Sequence, residues 1–563
     1  MSMRIAYARS GGPRIPSGKL ASMLRPGAGT TKREGSGRRL AAMALAVPTL
    51  ISPLSLVACG NVSEVPGPVE FRTEEIVTNP TERSVQIGLV PGEDVELYAT
   101  FAPLDAATEG DASQTPPLHV RAGTLAVLRL EGLTAGTRYR AQVHLRRPGE
   151  SDFAARAPVH FRTLRADPEA TVRFAYAADS HIVGRYIKSE CSKSPGAYAR
   201  LNFEQTLENV LASDVDFIIS GGDNFMTHAQ NLRVCPAYEA YGSGTVRTAA
   251  QADLRYELGL ALWGRVAREL PFLYVLGNHD GEARFGDAQG SYGHFSDTRA
   301  LSQNARLRHL PDPTATYDGS REGDLYYTFR SGSARFIVLD VMAGPTTLPK
   351  RADDWTLGAT QLRWLEAVLA ANRSPWIFVF AEHLVGGVTP PDGRPFADQT
   401  GTPGEYHYGR GGLRSTLDGT TKGRFLGEQA VLQALFRRHG ADVFFHAHDH
   451  VAVIGEKLGP DGRGEGVYYA MAGQASGDAD GPGWVANTWF ADQMDYDGDG
   501  RPDYAGANGT AAPGFYRVTV EGTKRVLLEF VRSDSPDAPV AFRWTIFPDG
   551  SSEPSSAAPT ASP

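Results

Sequence analysis

The sequence predicts two folded domains in tandem, an all-β sandwich followed by a layered α/β domain. Three observations carry this expectation. Short runs rich in β-branched and aromatic residues crowd positions 69–165, separated by Gly, Pro, Asn and Asp. From about residue 170, nearly continuous apolar runs alternate with stretches that suit helices, the pattern of strands buried on both faces. Ahead of both, residues 1–58 carry nine basic groups and one acid, a net +8, while the remainder carries −16 of the overall −8. So abrupt a sign change marks a targeting segment.

That first segment ends in an apolar stretch from Leu40 to Ala58, broken by Pro48 and Pro53, which disfavour a membrane-spanning helix. It runs into Leu56-Val57-Ala58-Cys59-Gly60, which resembles a bacterial lipobox. Residues 1–58 are therefore expected to be a presequence, with Cys59 lipidated. The protein would be exported and tethered in the bacterial cell envelope, periplasmic or outer-surface, by its lipid alone. The Arg38-Arg39 pair leaves Sec and twin-arginine export both open. Residues 59–68 are expected to be a linker.

Within 69–165, strands are expected at 69–73, 84–90, 94–104, 124–133, 138–147 and 159–164. Leu133-Thr134-Ala135-Gly136-Thr137-Arg138-Tyr139, followed by Ala141, Val143 and Leu145 in alternation, resembles the tyrosine corner of a fibronectin type III domain. Fold likeness of this kind assigns no chemistry to the domain.

The α/β domain, 170–548, has expected buried strands at 172–178, 215–220, 271–276, 376–381 and 441–447. Helices are expected at 198–212, 249–269, 359–371 and 427–439. Strand pairs at 325–329 with 335–341, and 515–520 with 525–532, suggest added hairpins. The Ser/Pro/Ala-rich stretch 549–563 is expected to be a disordered tail.

Polar residues gather just past the apolar strands. Asp179-Ser180-His181 follows the first, Gly221-Gly222-Asp223-Asn224 the second and Gly277-Asn278-His279-Asp280 the third. His383 follows the fourth and His448-Asp449-His450 the fifth. Ligands in α/β sheets bind beyond the carboxyl ends of strands, so five such endings can converge on one crevice. Asp, Asn and His without thiolate suit Mn, Fe, Zn or Co.

The series resembles the calcineurin-like metallophosphoesterase superfamily, whose blocks read D-x-H, G-D, G-N-H-D/E, H and G-H-x-H. The resemblance implies an α-β-β-α layered domain that hydrolyses phosphoric esters at two metal ions about 3.5–4 Å apart. It assigns Asp179, His181 and His450 to one metal, Asn278, His383 and His448 to the other, and Asp223 to the bridge. His279 would protonate the leaving group, with Asp280 orienting its imidazole. The nucleophile would be a metal-bridging hydroxide. The last block carries Ala447 in place of Gly, and His446 offers a rival H-x-H register, with 448/450 preferred. The two-domain order resembles the purple acid phosphatases, but His181 and Met226 stand where that family has Gly and a Tyr ligand, so no tyrosinate–iron bond is expected.

Cys191 and Cys235 are the only thiols besides Cys59, and an oxidising compartment favours a disulfide between them over two free thiols. Asp495, Asp497, Asp499, Arg501 and Asp503 fall at the spacing of a calcium loop. Position twelve, however, is Gly506, and a solvated acidic loop has the same composition, so Ca²⁺ stays open. Among other loop residues, His294 is the foremost candidate for an extra substrate contact. Arg185, Tyr408 and Arg410 could also contact phosphate, while His228, His309 and His407 are expected to be packing or surface residues. The acidic body is a poor match for nucleic acid. Two alternatives remain: a phosphodiesterase or nucleotide hydrolase rather than a phosphomonoesterase, or a surface binding module with vestigial catalysis, against which the intact ligand series argues.

Overall fold

The computed structural model describes residues 69–105, 112–192, 197–228, 234–283, 298–321, 323–344, 356–382, 428–448, 450, 452–458, 463–477, 504–510 and 512–556. Cys59 with the whole presequence, His294, His383, His407, Tyr408, Arg410, Asp449 and Asp495 to Asp503 lie outside the described residues.

The N-terminal strands are β1 (Phe71–Thr78), β2 (Ser84–Pro91), β3 (Val95–Pro103), β4 (Ser113–Gln114), β5 (Leu118–Val120), β6 (Ala126–Glu131), β7 (Arg138–Arg146), β8 (Ala154–Ala155) and β9 (Val159–Arg162). One sheet runs β1-β2-β6. The other runs β4-β3-β7-β8, with β5 on β3 and β9 on β7. Alternation decides which face is buried: Val95, Leu97, Ala99 and Phe101 of β3 point inward with Tyr139, Ala141, Val143 and Leu145 of β7. The Tyr139 hydroxyl accepts the backbone N–H of Thr134 at 2.9 Å, closing the turn before β7.

The second domain opens with β10 (Thr171–Ala177), β11 (Phe217–Ser220) and β12 (Phe272–Tyr274), all parallel. Then come β13 (Asp318–Gly319), β14 (Tyr327–Ser331), β15 (Ala334–Val338), β16 (Trp376–Phe380), β17 (Val443–His446), β18 (Ala452–Leu458), β19 (Gly464–Met471) and β20 (Tyr504–Thr510). They build a second sheet in the order 13-14-15-16-17-19-18-20, parallel across 15-16-17-19. The chain returns to the first sheet with β21 (Gly514–Glu521), β22 (Arg525–Arg532), β23 (Val540–Ile546) and β24 (Ser552–Ser556), which add antiparallel beside β10.

The two sheets pack through aromatic rings. Phe174 of β10 lies 5.2 Å from Phe336 of β15, and Tyr176 lies 5.2 Å from Phe445 of β17. Among the described residues six α-helices carry the rest: α1 (Ile182–Ser192), α2 (Ala197–Leu211), α3 (Ala249–Ala267), α4 (Thr298–His309), α5 (Gly358–Ala371) and α6 (Glu428–His439). Phe203 of α2 and Trp263 of α3 cover the outer face of the first sheet. Leu365 of α5 and Phe436 of α6 cover that of the second, giving helix-sheet-sheet-helix layers. Among the described residues no helix is long and apolar enough to cross a membrane.

Three expectations change. The segment after the first motif, treated as a loop, winds into α1. Helix α4 departs from expectation because the face it buries is itself polar, with Thr298, Ser302, Arg306 and His309, so its apolar signal is weak. Residues Ser552–Ser556, assigned to a disordered tail, pair with β23 as an edge strand, since an open sheet edge supplies backbone partners that composition does not reveal.

The sandwich is bolted to the second domain by polar contacts. Thr78 Oγ1 donates to the Phe272 carbonyl at 2.6 Å, and Thr73 Oγ1 meets His309 Nδ1 at 3.0 Å. The buried Glu75 carboxylate takes Arg156 from its own domain and Arg268 from the other. His309 is thus a packing residue.

Cys191, near the end of α1, and Cys235, ahead of the short helical turn Pro236–Tyr241, are joined as a disulfide, with Cα atoms 5.3 Å apart. Maleimide labelling of denatured but unreduced protein should leave both unmodified, and reduction should expose both. Two thiols labelled without reductant would contradict the link.

Candidate metal centre

Every residue of the site sits two to five positions beyond a parallel strand. Asp179 and His181 follow β10, Asp223 follows β11, Asn278 and His279 follow β12, Glu382 follows β16, and His448 and His450 follow β17. The strands fix the loops at their roots, and the loops then turn sharply. Of nine described non-glycine residues with positive φ, five are Asp179 (49°), His181 (44°), Asp223 (55°), His448 (77°) and His450 (61°). Left-handed backbone costs of order 1–3 kcal/mol per such residue, and it persists only where the surroundings impose it. Here it turns successive side chains toward one point.

Two motif glycines permit the close approach. A Cβ on Gly277 would fall on the Asp223 carboxylate. One on Gly222, whose φ is 111°, would lie 2.7 Å from Glu382 Cγ.

Asp280 corrects the sequence expectation. Its carboxylate does not meet the His279 ring. It accepts the backbone N–H groups of Gly277 (3.0 Å), Asp223 (3.0 Å), Asn224 (2.9 Å) and Phe225 (2.8 Å), so it clamps the second and third loops together. Four amides converging from two turns outcompete one imidazole for a buried carboxylate. The His279 ring is held instead by His228, whose carbonyl accepts from Nδ1 at 2.9 Å. The His228 ring itself packs against Thr245. Met226 turns its side chain into an apolar patch with Val183 and Ile187.

The metal-capable atoms form two groups sharing Asp223. In the first, His450 Nε2 lies 3.1 Å from His181 Nε2 and 3.9 Å from Asp179 Oδ1. Asp179 Oδ2 accepts the His448 backbone N–H at 2.8 Å, while Oδ1 is buried with no hydrogen-bond partner. His181 Nε2 reaches Asp223 Oδ2 at 3.3 Å. In the second group, the end of the Asn278 side chain lies 3.3 Å from that same Oδ2, 3.2 Å from Glu382 Oε1 and 3.1 Å from His448 Nδ1. Glu382 Oε1 is itself 3.1 Å from His448 Nδ1. His279 and His181 flank Asp223 from one side. His446 stays in the core beside Phe444 and Tyr469, which leaves 448/450 as the pair at the site.

The electrostatics of the bare protein are those of a cation cradle. Burial, then Glu382 and Asp223, push the Asp179 carboxyl well above its usual range. Burial likewise raises Glu382 to about 8 and Asp280 to about 7. Burial lowers His181 to about 4. Desolvation, then the facing His181 and Arg185, hold His450 well below its usual value. Burial opposes ionisation of Asp223, but His279, His181 and His448 more than offset it and keep the carboxyl low. Carboxylates this close, an unpartnered buried Asp179 oxygen and two imidazole nitrogens in contact fit divalent cations, which satisfy all of these acceptors at once.

Sequence inspection missed Glu382 because one carboxylate beside a histidine carries no motif. It also missed two arginines that hold the loops. Arg255 of α3 donates to the carbonyls of Met226, Tyr241 (2.9 Å) and Gly242 (2.9 Å). Arg306 of α4, fully buried, pairs with Glu282 at 2.7 and 3.0 Å, two residues past Asp280. Arg306→Ala leaves Glu282 buried without its partner and should cost about 3–5 kcal/mol. Urea unfolding checks this, and a loss below about 1 kcal/mol, the scale of a surface pair, would show that the pair does not support the loop.

Residues 172–452 match the family model described as calcineurin-like phosphoesterase. Among solved structures the chain is similar to a purple acid phosphatase from seeds of yellow lupin, Lupinus luteus. That likeness is 15% identical over 84% of this chain and 74% of the other, with a TM-score of 0.53. It is also similar to PhoD, at 13% identity over 89% of this chain and 95% of the other, with a TM-score of 0.59. Identities this low show likeness of fold. No curated protein sequence matches the chain.

Proposed function

From the premise that residues 172–452 are a calcineurin-like phosphoesterase domain, and the chain a metal-dependent phosphoesterase, we propose that it hydrolyses phosphoric esters at a two-cation centre outside the bacterial cytoplasm. The observation that carries this reading is the pair of ligand groups sharing the Asp223 carboxylate. Asp179, His181 and His450 would hold one cation, Asn278 and His448 the other, and Asp223 would bridge. His383 is kept on the second cation by family resemblance. When bound, the cations supply Lewis acidity, activating water and offsetting phosphoryl charge.

The chain's own residues supply the rest. The His228 carbonyl can only accept, so His279 Nδ1 carries a hydrogen and Nε2 is left to give a proton to the departing alkoxide. Arg185, in the first turn of α1, is close enough to depress both His181 and His450 and suits the substrate's phosphate. Asp280 keeps the loops carrying Asp223 and Asn278 in register and so acts as a positioning residue.

The sandwich reads as fibronectin type III-like, supported by its two facing antiparallel sheets, of three and six strands, and the Tyr139 corner. Export and lipidation at Cys59 rest on the lipobox and the basic presequence. Metal analysis followed by a panel of phosphomonoesters and diesters tests the reading. Two ions per chain with phosphomonoester turnover support it. Faster turnover of diesters reassigns the substrate class, and a metal-free, inactive protein refutes it.

A further inference from the structure

We infer that Glu382 is a direct ligand of the second cation, giving that position a carboxylate in addition to the bridging Asp223. The inference rests on the two-cation reading above and names a donor that the motif series does not contain.

Three observations converge. Glu382 Oε1 lies 3.1 Å from His448 Nδ1 and 3.2 Å from the end of the Asn278 side chain, two of the residues assigned to the second position. Asp223, Glu382 and His448 each bring a ligand atom to within 4.8 Å of the others. The stem that delivers the carboxylate is built in. The Glu382 carbonyl accepts the Ala447 N–H at 2.6 Å, tying the ends of β16 and β17 together one residue before His448. Its Cβ and Cγ run over Gly222, where any Cβ would come within 2.7 Å of Cγ. The side chain is fully buried. A fully buried carboxylate whose oxygen lies among the ligand atoms of Asp223, Asn278 and His448 has the geometry of a metal ligand.

The consequence is chemical. With Glu382 the second position gains a third oxygen donor beside those of Asn278 and Asp223, against the nitrogens of His448 and His383, and each added oxygen shifts preference toward harder ions, Mn²⁺ over Zn²⁺. The extra negative charge also lowers the net charge of the loaded pair, which tempers its pull on anionic product.

The test uses the whole chain, stripped of metal, reloaded in two arms, desalted and analysed for metal content: Mn²⁺ alone, where spin resonance reports coupled Mn²⁺ pairs, and Mn²⁺ with Zn²⁺ in competition, where the retained ratio reports preference. Wild type should hold about two ions per chain in both arms, spin-coupled with Mn²⁺ alone and with Mn²⁺ retained at one position in competition. Glu382→Gln should fall to about one ion and lose the spin-coupled signal. Glu382→His should regain the pair with Zn²⁺ displacing Mn²⁺, because nitrogen replaces a hard oxygen. Thermal melting confirms that each variant folds. A Glu382→Gln protein that keeps a coupled pair at the wild-type Mn/Zn ratio overturns the inference while leaving the two-cation reading intact. So does a Glu382→His protein with unchanged metal preference, since a residue that merely steadied His448 would not change which metal is held. Wild type without paired ions refutes the two-cation reading itself.

Discussion

Asp223→Ala should abolish the paired metal centre and lower phosphoester turnover by on the order of 10³-fold or more, the rate equivalent of several kcal/mol of lost Lewis-acid stabilisation. The Asp223 carboxylate does three things at once. Oδ2 faces His181 on one side and Asn278 on the other, and Oδ1 accepts the His279 backbone N–H at 2.7 Å. No other described side chain reaches both groups. Asp223→Asn separates charge from shape, since the amide oxygen can still accept the His279 N–H while the negative bridge is gone. Both variants should show metal content reduced below the wild-type pair, with Asn closer to wild type in thermal stability. Retention of two ions with activity within tenfold of wild type would remove Asp223 from the bridge.

His279→Ala should keep both ions yet slow alkyl phosphates by about 10²–10⁴-fold, the usual worth of a positioned general acid. Nitrophenyl phosphate should lose much less, because its leaving group departs as a stabilised anion and needs little protonation. The variant is clean because the residue's backbone N–H, which supports Asp223, survives the substitution. Equal losses on the two esters would place His279 in structural support. A fall in metal content would make it a ligand.

These outcomes bear on how far each element was legible. The buried strands were plain because a strand covered on both faces must be apolar throughout, and TVRFAYA, FIIS and WIFVF admit little else. The residues at their ends were legible for the complementary reason, since a polar cluster after such a run has few structural uses. The sandwich strands announced themselves by alternation. Helix α4 did not, because Arg306 and His309, which anchor it, are polar residues that the fold buries against Glu282, Asp253 and Thr73. Propensity counts such residues as surface.

The roles of Asp280 and Glu382 show the same limit inside the site. Asp280 stands next to His279 in sequence, yet its partners are backbone amides of residues 223–225 and Gly277. Glu382 stands next to His383 and was passed over, although its carboxylate lies among Asn278, Asp223 and His448.

The sequence by itself determined the chain's domain order, the phosphoesterase chemistry and the identity of most groups that converge beyond the strand ends, because hydrophobic periodicity and residue type are local properties. Only the tertiary structure decided which atoms face one another: the clamp made by Asp280, the His228 carbonyl behind His279, the arginines under the loops and the approach of Glu382. Those contacts join residues tens to hundreds of positions apart through left-handed turns and glycine gaps, and a distance between loops is not written in either loop alone.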